Sequence, residues 1–252
     1  MTVRADVIIP FHGQSAMLLR CLSALAAGPR IAGTVFLVDD ASPVADRYHA
    51  ERALSGSALP VCWLQLPQRS GFVAAVNAGW RQCRSAVAVM LNSDTVAAAN
   101  VLSELVAAIE RDPTIAAASP ASDNRIDLYQ FRESFRPAGA GVGLTAAPYL
   151  TAMCLALRRS AVYGPVFDAS FSPGYFEDLD LSCRLRANGW RLVVLENCRV
   201  HHAGRATFGH HPNLHQIVRR NYALFASRWS KLPEHTDLTQ LLGLAPKVGA
   251  FQ

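Results

Sequence analysis

A doubly wound α/β sheet is the fold this sequence predicts, and two observations predict it. Runs rich in Val, Ile and Leu recur at residues 5–9 ("ADVII"), 34–38 ("TVFLV"), 61–64 ("VCWL") and 86–91 ("AVAVML"). Their apolar character is continuous rather than alternating, as in parallel strands covered on both faces. Between the runs lie helix-length stretches with one-sided apolar stripes. Phe72, Val76, Gly79, Trp80 and Cys83 make one stripe, and Leu102, Leu105, Val106 and Ile109 make the next. Strand–helix–strand repetition of this kind builds a sheet with helices on both faces.

Composition sets the limits around that fold. With 51% hydrophobic and 17% charged residues among 252, the chain buries a core and is not a disordered segment. The net charge of +5 suits anionic small molecules or an anionic surface. No apolar stretch reaches the roughly 18–20 residues that cross a bilayer. The N-terminal "MTVRADVIIPFHG" enters a strand without signal-peptide architecture, so a cytoplasmic location is expected. Cys21, Cys62, Cys83, Cys154, Cys183 and Cys198 stand singly, with no CxxC pair. That spacing predicts buried reduced thiols rather than disulfides or a zinc site.

Open α/β sheets bind ligands at the carboxyl ends of their strands. The four predicted strands end in "PFHG", "DDAS", "PQRSG" and "NSDT". Asp, Ser and Asn are ordinary turn and cap residues, but three charged or metal-capable ends converging on one edge point to a site. No GxGxxG follows the first strand and no GxxxxGK[ST] occurs, which removes the main support for dinucleotide and P-loop binding.

The second half has a different texture. Ser119–Pro148 is polar, rich in Gly, Ala and Pro, and long for a loop in a compact domain. A strand is expected at about 150–157, followed by a turn with Arg158 and Arg159 and a short helix broken at Gly164–Pro165. Glu177, Asp178 and Asp180 then open a helix that closes at Asn188–Gly189. Asp178 shares a face with Leu181 and Leu185, and Glu177 is expected to pair with Asp180. First-turn carboxylates are stabilised by the helix dipole, yet apolar surroundings or a neighbouring anion raise a carboxyl pKa towards that of a general base. The strand "RLVVLENCRV" leads into a cluster in which His201, His202, His210, His211 and His215 fall together. Imidazole plus carboxylate past a strand end suits Mn2+ or Mg2+. Val218, Tyr222, Phe225 and Trp229, with Arg219, Arg220, Arg228 and Lys231 near them, make an amphipathic helix. Packing on the core is its expected role, with peripheral membrane contact as the alternative.

Six segments in order, "VIIPFHG", "VFLVDDASP", "RSGFVAAVNAGW", "VMLNSDT", "YFEDLDLSCRLRANGWRL" and "VHHAG", resemble the successive motifs of family 2 inverting glycosyltransferases of the GT-A fold. The rhamnosyltransferase-like and galactofuranosyltransferase-like branches are the most similar in flavour. The resemblance runs from about Val7 to Gly204. It implies a Rossmann-like, mostly parallel sheet in one domain: a nucleotide-sugar-binding half (1–115), an acceptor and catalytic half (116–210), and a C-terminal helix and tail (211–252).

The same resemblance assigns roles. Pro10, His12, Asp39 and Asp40 would line the nucleotide pocket, with Arg69, Gly71 and Asn77 flanking it. Asn92, Ser93 and Asp94 take the place of the DxD motif, Asn92 standing where an acid often sits. Asp94 and His202 would hold Mn2+ or Mg2+. Asp178 would be the catalytic base, with Glu177 beside it against acceptor or donor, and the 119–148 segment would form an acceptor-side or lid loop. The implied partners are a UDP-, dTDP- or GDP-sugar and a glycan, lipid-linked or small-molecule acceptor, with no nucleic acid. Two rivals remain in this reading. A nucleotidyltransferase lacks its glycine-rich basic loop here. A catalytically inactive GT-A module that binds nucleotide-sugar or glycan within a larger assembly is kept alive by Asn92.

Overall fold

Along the chain of this computed structural model, which describes residues 2–132, 143–204 and 212–229, strands and helices alternate as follows. They are β1 (Thr2–Val3), β2 (Asp6–Phe11), α1 (Ser15–Ala26), β3 (Arg30–Ile31), β4 (Val35–Asp39), α2 (Val44–Leu54), β5 (Val61–Gln65) and α3 (Phe72–Gln82). Next come β6 (Val87–Leu91), β7 (Thr95–Ala97), α4 (Val101–Arg111), β8 (Ile115–Ser122) and β9 (Leu144–Ala146). The order ends with β10 (Cys154–Arg158), α5 (Glu177–Ala187), β11 (Arg191–His202) and α6 (Leu214–Trp229). Three-residue or longer 3-10 turns lie at Arg125–Gln130, Arg159–Ala161 and Ala169–Phe171.

Nine strands form one sheet in the order β5-β4-β2-β6-β10-β8-β11-β7, with β9 added on β11. The four strands predicted from the apolar runs are mutually parallel. β10 enters antiparallel between β6 and β8, so the sheet continues across both halves of the chain. The continuous apolar runs are explained by cover on both faces. Ile8, Val38 and Met90 pack on one side, with α3, α5 and α6. Val7, Ile9, Leu37 and Val89 pack on the other, with α1 and α4. Gly79 lets α3 lie close to β2, because a Cβ there would come within 2.6 Å of Ile8 Cγ2. The fold is the α/β, GT-A-type sheet that the sequence predicts.

Three expectations change on contact with the structure. Ser119–Ser122 is buried strand, the end of β8, rather than the start of a loop. The strand predicted at 150–157 begins only at Cys154, because the backbone of 151–153 is engaged elsewhere. Asp180 does not pair with Glu177; it accepts from Arg184 Nε at 2.8 Å and from Trp229 Nε1 at 3.0 Å. Opposite charge and an indole N–H outcompete a like-charged neighbour. Residues 133–142 of the expected lid, and His210, His211 and Lys231, lie outside the described residues.

The last helix packs on the core, as expected. Phe225 is fully buried against Tyr149 and Phe176, with ring centroids 6.5 and 5.7 Å away. Asn221 Nδ2 donates to the carbonyls of Phe171, Gly174 and Tyr175 at 2.7–3.0 Å. Thus α6 clamps the loop that delivers Glu177 and Asp178. All six cysteines are free thiols, and only Cys62 is exposed. No helix among the described residues is long and apolar enough to cross a membrane.

Candidate active site

The carboxyl edge of the sheet collects the polar groups in three clusters. The first follows β2 and β4. Pro10 is buried in β2, and the His12 ring Nδ1 lies 2.7 Å from the Asp40 carbonyl oxygen. Asp39 and Asp40 are adjacent but differ in kind. Asp40 accepts from Ser70 N at 2.6 Å and Gly71 N at 2.8 Å, so both its oxygens tie the loop before α3 to β4. Asp39 is completely buried; Oδ1 accepts from Ser42 N at 2.7 Å, and Oδ2 has no protein partner. A buried acceptor without a donor is costly in a folded protein unless something completes it. Gly71 has φ +88°, and a Cβ there would meet Pro173 Cβ at 2.4 Å, so glycine is required by both conformation and space. Arg69 is exposed on the same loop. Asn77 bonds outside this cluster: its amide donates to Phe167 O at 2.8 Å and accepts from Phe167 N at 3.0 Å.

The second cluster forms where β6 ends. Asn92 N donates to Met153 O at 2.9 Å, and Asn92 Oδ1 is buried without a protein partner. Ser93 and Asp94 follow in a turn that leads directly into β7. Register then explains why a histidine more than a hundred residues away meets Asp94. After an irregularity between Leu195 and Arg199, β11 pairs antiparallel with β7, His202 opposite Thr95. Ala203 N donates to the Asp94 carbonyl at 3.1 Å, and His202 Nε2 lies 3.4 Å from Asp94 Oδ1. His201, on the opposite face of the strand, turns outward to Asp123 at 2.7 Å. Alternation across a strand therefore separates the two histidines, and His202 is the one beside Asp94.

The Asp94–His202 pair fits a divalent cation. Two ligands about 2.1 Å from one ion at a right angle stand about 3.0 Å apart, close to the spacing seen. The donors are one imidazole and one carboxylate, with side chains 6% and 11% exposed. No group of three or more His, Cys, Asp or Glu that could hold a metal occurs among the described residues. Such an ion would need further oxygens from substrate and water, as Mg2+ and Mn2+ accept readily. His202 Nδ1 meets the carboxylate of Asp127 at 2.9 and 3.0 Å. Burial lowers the His202 pKa, but Asp127 and Asp94 outweigh it and push it up to about 10.

The third cluster opens α5. Tyr175 and Phe176 both have positive φ, 75° and 72°, immediately before Glu177. Such backbone costs about 1–2 kcal/mol per non-glycine residue and persists where its surroundings enforce it. Here Asn221 holds the Gly174 and Tyr175 carbonyls, and the Phe176 ring packs on Tyr222 and Phe225. Asp178 accepts from Ala152 N at 3.1 Å and Leu179 N at 2.9 Å. Burial nevertheless pushes its pKa up to about 6, with a contribution from Asp127. Glu177 is buried, its Oε2 lacks a protein partner, and burial and the Asp178 charge raise its pKa well above the usual value.

Residues 151–153 connect the clusters, and sequence reasoning missed their role by reading them as strand. Thr151 Oγ1 donates to Asp127 Oδ1 at 3.2 Å, Ala152 N holds Asp178, and Met153 O receives both Asn92 N and Thr95 Oγ1. Gln130 fixes Thr151 from both sides, donating to its carbonyl at 3.0 Å and accepting from its N–H at 2.8 Å. Asp127 and Gln130 were also missed. Their only signal was polarity inside a segment that read as loop.

Comparison with known proteins gives this architecture its place. Mannosyltransferase PcManGT from Pyrobaculum calidifontis, solved in complex with GDP-Man and Mn2+, matches with TM-score 0.69 at 19% identity, over 95% of this chain and 68% of that one. GalNAc-T7, solved with UDP, GalNAc and Mn2+, matches with TM-score 0.67 at 19% identity, over 96% of this chain and 53% of that one. S. aureus TarS 1-349 matches with TM-score 0.61 at 16% identity, over 95% of this chain and 69% of that one. At these identities the likeness establishes the fold. No curated protein sequence matches the chain. The family model "Glycosyl transferase family 2" matches residues 6–164, more than half of the chain, and the protein belongs to that family.

Proposed function

We propose that this chain is a metal-dependent inverting glycosyltransferase that moves a sugar from a nucleotide-diphosphate sugar to an acceptor hydroxyl, with Asp178 as general base. One observation carries the reading: residues 151–153, at the carboxyl edge of the sheet, bond to Asp178, to Asp127, which holds His202, and to Asn92 and Thr95, which flank Asp94. The neighbour solved with GDP-Man and Mn2+ and the one solved with UDP, GalNAc and Mn2+ support the donor class.

The chain's own residues divide the work. Asp39 Oδ2, buried and acceptor-only, suits a base with a ring N–H, which uracil, thymine and guanine have and cytosine and adenine lack. Asn92 Oδ1 offers a second open acceptor, suited to a ribose or sugar hydroxyl. A divalent cation held by Asp94 and His202 would supply positive charge against the diphosphate leaving group. Asp178, ionised above about pH 6, takes the proton from the acceptor hydroxyl as that oxygen attacks the anomeric carbon. The C–O bond to the diphosphate breaks on the opposite face, and a single displacement inverts the anomeric configuration. Glu177 stands next to this base and contacts acceptor or donor.

A thermal-shift screen of UDP, GDP and dTDP with Mn2+ tests the donor site, since ligand binding to the folded chain alone raises its melting temperature. One nucleotide should stabilise the protein only with the cation, and Asp94→Ala should remove that dependence. Metal-independent binding unaffected by Asp94→Ala overturns the metal role. Full binding with no transfer or hydrolysis of any nucleotide sugar would instead favour an inactive binding module.

A further inference from the structure

His202 presents one ring nitrogen to Asp94 and the other to Asp127. The second contact is the better made: Nδ1 lies 2.9 Å from Asp127 Oδ2 and 3.0 Å from Oδ1. Asp127 is 1% exposed, and beyond its share in the raised pKa of Asp178 the proposed transfer gives it no role. It is itself held from two sides. The Ser122 hydroxyl donates to Oδ2, and the Thr151 hydroxyl donates to Oδ1 at 3.2 Å. Ser122 ends β8, Thr151 precedes β10, and Asp127 lies in the 3-10 turn between them in sequence, so three elements fix one carboxylate.

Each ring nitrogen faces a carboxylate, Nδ1 that of Asp127 and Nε2 that of Asp94. A cation held by Nε2 and Asp94 would replace the Nε2 hydrogen and leave the other on Nδ1, where Asp127 accepts it. Buried imidazole ligands depend on such a partner, which fixes both the tautomer and the plane of the ring. We propose that Asp127 is the positioning residue of the cation site, orienting His202 so that its Nε2 and Asp94 Oδ1 address the same point. This inference rests on the reading of Asp94 and His202 as cation ligands. It adds that the histidine works only through a carboxylate from the segment between β8 and β9. It also gives Thr151 two connections, to the cation side through Asp127 and to Asp178 through its neighbour Ala152.

The alternative is a structural ion pair, in which Asp127 stabilises the fold and has no bearing on the cation. A double-mutant cycle separates the two. Mn2+ binding to the full chain is titrated by electron paramagnetic resonance, with Mn2+ alone and with UDP or GDP present. The variants are Asp127→Ala, His202→Ala and the pair. Asp127→Ala should weaken Mn2+ binding about 10–100-fold, and the double variant should bind no more weakly than His202→Ala. Wild-type affinity in Asp127→Ala, or losses that add in the double variant, overturn the proposal while leaving the cation site intact. Failure of the wild-type chain to bind Mn2+ under either condition sinks the cation-site reading itself.

If Asp127→Ala does not fold, Asp127→Asn carries the same cycle, because the amide keeps an acceptor and loses the charge. Its Mn2+ affinity should fall between the wild-type and His202→Ala values. A spectroscopic check is independent of affinity. At saturating Mn2+, the 15N-histidine coupling in the electron spin-echo spectrum should be present in the wild type and weakened or lost in Asp127→Ala. A coupling unchanged by the substitution counts against positioning.

Discussion

The two edges of the central sheet treat buried carboxylates in opposite ways. Asp6, at the amino end of β2, is saturated: Oδ1 accepts from Thr34 N at 2.9 Å, and Oδ2 accepts from Arg84 N at 2.6 Å and Ser85 N at 2.8 Å. Burial alone would raise its pKa, but these backbone donors prevail and hold it below the usual value. At the carboxyl edge, Asp39 Oδ2 and Glu177 Oε2 are the buried carboxylate oxygens without a protein partner among the described residues. Asp178 has backbone donors, yet burial still takes its pKa up to about 6. The residues with positive φ and a side chain, Gln14, Ala41, Tyr175 and Phe176, also follow β2 and β4 or precede α5 at this edge. One edge is finished by folding, and the other is left with strain and open acceptors. That is the pattern expected where a ligand completes the structure.

The comparison breaks most visibly at Asp178. Asp178→Asn should lower glycosyl transfer about 10²–10⁴-fold, the usual contribution of a positioned base, while the chain stays folded. Steady-state rates and circular dichroism together check this, and full activity in the variant removes Asp178 as the base. In the wild type, the rate should rise with pH through about 6 as Asp178 loses its proton.

The mirror image is Asp6→Asn. Its three backbone donors would face an amide that offers one acceptor and two competing hydrogens, at a cost of about 3 kcal/mol in unfolding free energy. Transfer by the folded fraction should be unchanged below the melting transition. The sign of the pH dependence follows from the lowered pKa. Asp6 stabilises the fold above its unfolded pKa, and that contribution is lost as pH falls through the lower folded value. The stability gap between variant and wild type should therefore close below about pH 4. Smaller still, Asp39→Asn should weaken nucleotide binding about tenfold, because a donor replaces an acceptor opposite a base N–H. Equal affinity in calorimetry would mean that Oδ2 is not a base contact.

Much of the fold was legible because parallel strands covered on both faces leave continuous apolar runs, as at Val35–Asp39 and Val87–Leu91. The candidate residues at strand ends were legible for the related reason that such sheets place ligands there. What could not be read was partnership. Asp39 and Asp40 are identical letters, yet backbone donors of Ser70 and Gly71 occupy one and leave the other open. Asn77 is a pocket residue by resemblance, and nothing in the motif announces that its amide pairs with the backbone of Phe167. Asp127 and the 151–153 bridge were hidden for a different reason. Their contacts join chain segments about 20 to 75 residues apart, and no local periodicity records such pairing.

The smallest expected effect is also the one that isolates the open edge from its chemistry. Glu177 is buried with Oε2 unpartnered, and burial and the charge of Asp178 raise its pKa well above the usual value. The folded state therefore holds a proton that the unfolded state releases near pH 4. By linkage, a raised carboxyl pKa makes stability greatest at low pH and erodes it as pH rises through the folded value. Glu177→Gln carries no charge at any pH and should escape that erosion. At neutral pH the variant should be more stable by on the order of 1 kcal/mol, roughly 2–4 °C in Tm for a chain of this size. At pH 4, where the wild-type carboxyl is protonated in the folded chain, the two melting temperatures should converge. Asp6→Asn should give the opposite slope in the same scans. If Glu177→Gln instead destabilises the chain at neutral pH, its carboxylate is stabilised in the folded state like that of Asp6. The contrast between the two edges would then fail at the position where it is most exposed to test.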